Sequence, residues 1–473
     1  MTSKGENPFM VKSGLKQWPR SESFRCYTAI SLIKSKVNIF PDELEFPYLN
    51  TFLLDYDYNY DNWSLVTIPS MFFKGMKALK VLVLKNVFMS LGELQFLTDL
   101  RSLYLKNCEL ENASALGNLK ELEILVIHFS DIKKLPYELW ELTTLRLLAI
   151  WDESRVLIIQ NLQPRLERLD EIHLHPYIEW GITSISKLCS SPCLTSLSLM
   201  FSSKLIAKSF TFPTLESFII IVNSEAPYDY KECGTSRRIL TISGFSLNAF
   251  TKLFWNVEEL TLYNSMDYKN VVPSADRGGL NELTSFHIKD CKDLEYLVDT
   301  TQEQGPNSTA FSNLNLKQVG VEDCLGLQVV FQILRPLHAN EENQTSLLSS
   351  LTKLELDSLP ELKYIWKGPP HLVKLQSLEV IRIERCPKLI SLFSAVIAQS
   401  LVHLKEILIY HCRLPYLESV SIIDCPQLTL VFNLANEKDG VDGAIALPRL
   451  QDRQLRNWIV AFARKTFSSN CHP

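Results

Sequence analysis

The chain has 473 residues, with 48 Lys and Arg against 53 Asp and Glu, a net charge of −5. Its 46% hydrophobic and 21% charged residues supply a large core and exclude wholesale disorder. The mild acidity argues against a nucleic-acid or anionic-membrane binder, both of which carry a basic excess.

From the N-terminus, Met1 to Arg20 carries Lys4, Glu6, Lys12, Lys16 and Arg20 and no apolar stretch of the signal-peptide kind. The most apolar short run, Phe218 to Val222, is far shorter than a bilayer requires, so no membrane span is expected. The 11 cysteines are an odd number spread along the whole chain. That fits reduced thiols in a cytosolic or nuclear compartment better than a secreted disulfide framework, and the location expected is cytoplasmic. The sequons at Asn62, Asn112, Asn307 and Asn343 are read as incidental.

A triplet of aliphatic residues spaced L-x-x-L-x-L then recurs. Clear copies are Leu79/Leu82/Leu84, Leu100/Leu103/Leu105, Leu122/Leu125/Ile127 and Leu145/Leu148/Ile150. The series runs on through Leu194/Leu197/Leu199, Leu283/Phe286/Ile288 and Leu378/Ile381/Ile383 to Leu417/Val420/Ile422, with weaker copies around Ile30/Leu32, Leu49/Phe52/Leu54 and Leu240/Ile242. The period is 21 to 23 residues early and lengthens to 33 and 35 between Ile288, Val321 and Leu356; the step from Ile409 to Ile422 is only 13, which predicts a distortion there. Alternating leucines point to one side of a strand, and a lone strand cannot bury that side without stacked neighbours. This is the leucine-rich-repeat pattern. It predicts an α/β solenoid, a horseshoe with a parallel β-sheet on its concave face and irregular loops or short helices on the convex side.

Three residues after the last strand aliphatic stands a small residue: Cys108, Ser130, Ser265, Cys291, Cys324, Cys386, Cys412 or Cys425. A small buried polar atom there is suited to serving the backbone as the strand turns away. Long polar stretches, Asn223 to Ser236, Thr300 to Ala310 and Arg335 to Ser346, are expected to bulge from the coil.

The Ile68–Leu82 run (IPSMFFKGMKALKVL), the Leu116–Leu125 run (LGNLKELEIL) and the Asp131–Pro136 turn (DIKKLP) resemble the repeat region of plant intracellular nucleotide-binding leucine-rich-repeat disease resistance proteins of the coiled-coil type. Phe9–Lys12 followed by Leu15–Pro19 is similar to the linker leaving that family's nucleotide-binding module, and the later Cys-x-x-Leu turns match its later repeats. The resemblance implies residues 1–20 as a linker from a module absent here, 21–448 as the repeat domain and 449–473 as a non-repeat tail. It implies a role in plant defence. The partners would be proteins: a pathogen effector, a guarded host protein or a nucleotide-binding switch module. The chain departs from the family in having no G-x-x-x-x-G-K-[ST] loop, so nucleotide binding is not carried over, and Lys85 and Trp151 stand where small polar residues are commoner.

Catalytic signatures are missing: no G-x-S-x-G, no H-E-x-x-H, no evident acid/base pair. His173-x-His175 and Cys189-x-x-x-Cys193 lack further ligands at metal-site spacing. No enzyme activity, cofactor or metal is expected. Residues between and after the strand leucines face the concave side. As protein-contact candidates we take Tyr104, His128, Trp151, His173, Tyr263, His287, Arg382, Glu384 and Tyr410, with Met200, Glu322 and Glu355 beside them. The Asp55–Trp63 run (DYDYNYDNW) is acidic and aromatic and reads as a polar insertion or a loop for a basic partner. The alternatives are a truncated fragment without its own signalling, a generic repeat scaffold, and an extracellular receptor, which would have a signal peptide and near-constant repeat length.

Overall fold

Many of the aliphatic triplets end in a five-residue strand whose side chains alternate half-exposed and buried, as in Val81–Lys85, Ser102–Lys106, Ser285–Lys289 and Lys353–Asp357. The computed structural model describes residues 9–18, 25–41, 44–57, 65–130, 136–151, 156–159, 166–180, 184–202, 210–223, 237–265, 268–272, 280, 282–299, 301, 315–333, 348–390, 392–410, 429–433 and 444–446. The chain forms two compact units, Met1–Ile221 and Val222–Pro473. The run from Tyr58 to Trp63, the centres of the long polar loops, Cys412 and Cys425 lie outside the described residues.

In the first unit the main strand of each repeat pairs in parallel with that of the next repeat: Phe9–Ser13, Ala29–Ser35, Thr51–Tyr56, Val81–Lys85, Ser102–Lys106, Ile124–His128, Leu147–Trp151, Glu171–Trp180 and Ser196–Phe201. A parallel neighbour demands a crossover, so each repeat is one turn of a coil. The register aligns like with like: Leu54, Leu84, Leu105, Ile127, Ile150, Leu174 and Leu199 form one continuous row. All but Ile150 are at most 1% exposed. Opposite the main sheet, Val66–Thr67, Val87–Ser90 and Glu109–Glu111 make a second parallel sheet, and short 3-10 helices at Leu91–Phe96, Ala113–Asn118 and Tyr137–Glu141 close their coils. Phe9–Ser13, inside the stretch that resembles a linker, is the first strand of the main sheet, and Trp18 packs its ring against Phe40 and Phe72.

The second unit repeats the plan with larger coils. Arg238–Ser243, Glu259–Tyr263, Ser285–Lys289, Gln318–Glu322, Lys353–Asp357, Val380–Glu384, Glu406–Tyr410 and Thr429–Asn433 pair in parallel, and Ala444–Ala446 lies antiparallel to the last. The longer repeats spend their extra residues on a second sheet of Asn270–Val272, Tyr296–Asp299, Val329–Gln332 and Tyr364–Lys367. Buried Gln332 donates from Nε2 to Oδ1 of buried Asp299 at 3.1 Å, and Trp366 stacks between Phe331 and Phe393. One expectation is corrected. Glu406–Tyr410 is followed in the sheet by Thr429–Asn433, with Ile409 opposite Phe432, a step of 23 residues. The strand partner is therefore Leu430/Phe432 rather than Val420/Ile422, and the anomalous 13-residue step disappears.

The strand exits obey one backbone rule. The residue two beyond the last buried aliphatic has positive φ: Asn86 (62°), Asn107 (50°), Phe129 (49°), Asn264 (44°), Asp290 (55°), Asp323 (54°), Ser358 (53°) and Arg385 (50°). In seven of these, all but Arg385, the N–H donates to the carbonyl at the end of the next strand, as Asn107 to His128 at 2.8 Å and Ser358 to Glu384 at 3.0 Å. Asn and Asp enter this region most easily among non-glycine residues; Phe129 and Arg385 are costlier occupants.

The next residue is the small one read from the sequence. Cys108 Sγ faces the carbonyls of Lys106 at 3.3 Å and Leu84 at 3.6 Å, Cys324 that of Glu322 at 3.3 Å, and Cys386 that of Glu384 at 3.2 Å; Ser130 Oγ donates to the carbonyl of His128 at 3.1 Å. Burial pushes the Cys108 thiol up to about 11 and the Cys189 thiol up to about 12. At pH 8 a thiol near 11 is only about one part in a thousand thiolate, the reactive form. Iodoacetamide at pH 8 is therefore expected to modify exposed Cys26 and Cys193 first and to reach Cys108 and Cys189 only after denaturation, as read by peptide mass spectrometry. Equal labelling of Cys108 and Cys193 would remove the structural role from this slot.

Candidate interaction surface

The residues between the buried aliphatics, and those just after them, form the open face of each main sheet, because strand side chains alternate. In the first unit the row after the last aliphatic reads Lys85, Lys106, His128 and Trp151 in register. His128 and Trp151 meet edge to face with centroids 5.4 Å apart, and Trp151 lies nearly parallel to both His173 and His175 at 6.3 Å. Phe129 meets His128 at 4.1 Å. Three predicted residues, His128, Trp151 and His173, are thus brought into one ring cluster. Tyr104 stands on the adjacent strand opposite Val126, outside that cluster. Among the described residues, His128 Nδ1 and Trp151 Nε1 are buried without a hydrogen-bond partner.

His173 and His175 share a face, as their spacing predicts, but each has its own partner. His173 Nε2 is 3.2 Å from Glu171 Oε2, and His175 Nε2 is 2.7 Å from Ser198 Oγ. Met200, expected on the open face, is buried at 7% exposure. Its strand packs beside the ten-residue strand Glu171–Trp180, whose far half pairs with Val156–Ile159 and widens the sheet there.

Burial pushes the His175 imidazole down to about 3, with His173 adding to the shift. The ring is neutral in the fold and protonates near the ordinary histidine value once unfolded. The unfolded chain therefore binds the extra proton between about 6.5 and 3, so stability is full above 6.5 and falls as pH drops through that window. The expected loss is roughly 2 kcal/mol between pH 6.5 and 5. Urea unfolding at the two pH values checks it, and His175→Gln should flatten the difference. An unchanged pH slope in that variant would place the titrating group elsewhere.

The second unit presents a different surface. Its middle row reads Thr261, His287, Gly320, Glu355 and Arg382, and the next row Tyr263, Lys289, Glu322, Asp357 and Glu384. These ten residues line a basin of about 560 Å³. Gly320 creates it by leaving a gap in the row, and the His287 ring leans over that gap: a Cβ on Gly320 would lie 2.5 Å from His287 Nδ1. Burial moves the His287 imidazole below the ordinary histidine range while Glu355 draws it back up. Charged side chains pair both along and across the strands. Lys289 Nζ is 2.5 Å from Glu322, Lys353 Nζ 2.8 Å from Glu355, Arg382 Nη1 3.1 Å from Glu355, and Arg385 Nη2 2.5 Å from Asp357; Arg385 also pairs with Glu384. Such exposed pairs contribute about 0–1 kcal/mol each, so their main effect is to set charge positions.

The predicted residues Tyr263, His287, Arg382 and Glu384 all line this basin. Tyr410 pairs through its backbone with Glu384, and its side chain lies outside the described residues. Sequence reasoning missed Gly320, Lys289 and Asp357. A glycine between two strand aliphatics was the available signal, since a missing side chain in a row opens a hole.

Residues 306–413 match the family described as plant disease resistance protein RPS2-like, leucine-rich repeats. No curated protein matches the chain. Among solved structures, the chain is similar to a leucine-rich-repeat protein of Leptospira interrogans, with 17% identity, TM-score 0.49, and coverage of 86% of this chain and 93% of that one. It is also similar to the ectodomain of the Arabidopsis thaliana receptor kinase GASSHO1/SCHENGEN3, with 14% identity, TM-score 0.41 and coverage of 86% and 56%. The Arabidopsis receptor kinase HAESA ectodomain gives 14% identity, TM-score 0.44 and coverage of 93% and 79%. The chain is built of leucine-rich repeats, and those spanning residues 306–413, with the strands from Gln318 to Tyr410, are similar to the repeats of RPS2-like plant disease resistance proteins.

Proposed function

We propose that this chain is the protein-recognition part of a plant disease resistance protein of the nucleotide-binding, coiled-coil type. It acts in the cytoplasm in innate immunity. It senses a pathogen effector or a guarded host protein, or holds a nucleotide-binding switch module inactive. One observation carries the reading: the segment that matches disease-resistance repeats also supplies most of the basin, from Gly320 to Glu384. Repeats stacked in this way offer a long open sheet face, and aromatic and arginine side chains there suit contact anchors. Binding rather than catalysis is the use that such a face supports.

The test is a leaf cell-death assay. The chain is expressed alone and then beside a separately encoded nucleotide-binding module of the coiled-coil receptor type. Suppression of that module's autoactivity in trans, lost on Trp151→Ala or Arg382→Ala, is the expected result. Absence of any effect in trans would leave the chain as a repeat scaffold or a non-signalling fragment.

A further inference from the structure

The basin over Gly320 has a chemistry that selects its guest. Four of its lining side chains, Glu322, Glu355, Asp357 and Glu384, are carboxylates, and two, Lys289 and Arg382, are permanent cations. Counting the charged partners just outside the lining leaves the excess unchanged. Asp323 and Glu406 add two acids, and Lys353 and Arg385 add two bases, giving six against four. The cations are already held by this chain's own carboxylates, so an incoming acidic group finds none free without breaking a pair. An incoming cation finds surplus carboxylate oxygens, each able to accept a second hydrogen bond.

The floor and walls agree with that polarity. Gly320 puts no side chain between His287 on one neighbouring strand and Glu355 on the other. A guest side chain can therefore reach the sheet itself. Among the described residues no hydrogen bond is made by the His287 ring, and burial favours its neutral form, which adds no repulsive charge. Tyr263 stands on the rim, where a ring face attracts a guanidinium. The volume of about 560 Å³ lies within the range of small-ligand clefts, roughly 300–1,000 Å³.

We propose that this basin seats a cationic side chain, an arginine or lysine, of the partner protein. The proposal rests on the protein-recognition reading above and adds the charge and the anchor point of the partner.

The probe is a fluorescein-labelled octapeptide alternating Arg and Ala, compared with its citrulline counterpart, which keeps the shape and loses the charge. Fluorescence anisotropy on the full chain at 150 mM salt reads the affinity. The arginine peptide is expected to bind at least about tenfold more tightly than the citrulline peptide. That preference should fall to below about twofold in Gly320→Leu, which fills the basin, and in Glu355→Gln, which removes one acid without changing size. Glu138→Gln, at an exposed position in the first unit, should keep it. The three nearest atoms to a Cβ at Gly320 all belong to the His287 ring, a side chain that can swing aside, so Gly320→Ala is a milder filler, and thermal melts of all three basin variants guard against misfolding. Equal binding of both peptides, or an intact preference in Gly320→Leu and Glu355→Gln, overturns the proposal. Either result leaves suppression in trans untouched, so failure here and failure of the recognition reading are separable.

Discussion

Phe72→Ala is expected to remove about 3–5 kcal/mol from the unfolding free energy of the first unit, read by urea denaturation. Phe72 is 0% exposed and is the hub of a ring cluster. Its centroid lies 5.7 Å from Trp18, 5.5 Å from Phe40, 5.8 Å from Phe52 and 5.0 Å from Phe73. Truncation leaves a cavity that these large neighbours cannot all collapse into, and it also deletes four aromatic contacts, three of them edge to face or close to it. Since a whole domain is stable by about 5–15 kcal/mol, this single change takes a large share. Phe72→Leu, which keeps most of the volume, should cost clearly less. A loss under about 1 kcal/mol for the alanine variant would mean that the cluster does not hold this end of the coil together. Two stretches that carried the family resemblance, Ile68–Leu82 and the one ending Trp18-Pro19, meet at this hub through Phe72 and Trp18.

Gly368→Ala is the second large effect, expected at about 3 kcal/mol or more for the second unit. Gly368 follows the strand Tyr364–Lys367 with φ of +143°, a region closed to ordinary side chains. A Cβ there would lie 1.7 Å from the carbonyl oxygen of Ile333, which is backbone and has no rotamer to yield. Ile333 is itself tied by its N–H to the Lys367 carbonyl at 2.8 Å, so relief of the clash must break the turn between two coils. Gly14, with φ of +66° and open space around its missing Cβ, is the contrast: Gly14→Ala should cost only about 1–2 kcal/mol, the left-handed penalty alone. Melts of the two variants against the parent decide it, and equal costs would refute the steric account.

The rows of buried aliphatics were legible because their spacing is strict and each copy restates it. The turn cysteines were legible for the same reason. The step after Ile409 was misread because two aliphatic triplets fall within one coil, and only hydrogen-bonded register distinguishes Leu430/Phe432 from Val420/Ile422. The second sheets left no trace because strands such as Val66–Thr67 and Asn270–Val272 are two or three residues long, too short to show a period. Alternation alone keeps Tyr104, Tyr263, His287, Arg382 and Glu384 out of the buried rows of their strands. What alternation cannot provide is depth: Met200 is covered where the sheet widens, and the basin exists because Gly320 contributes nothing to its row.

The coils range from 20 residues between Ile242 and Leu262 to 35 between Val321 and Leu356, yet both pairs sit directly opposite in the ladder. Main-chain pairing therefore fixes the pitch, whatever the number of residues between one rung and the next. Insertions and deletions between the strands can accumulate over generations while the side chains of the ladder keep their aim, so gene length and the open sheet face can drift independently in a molecule of this build.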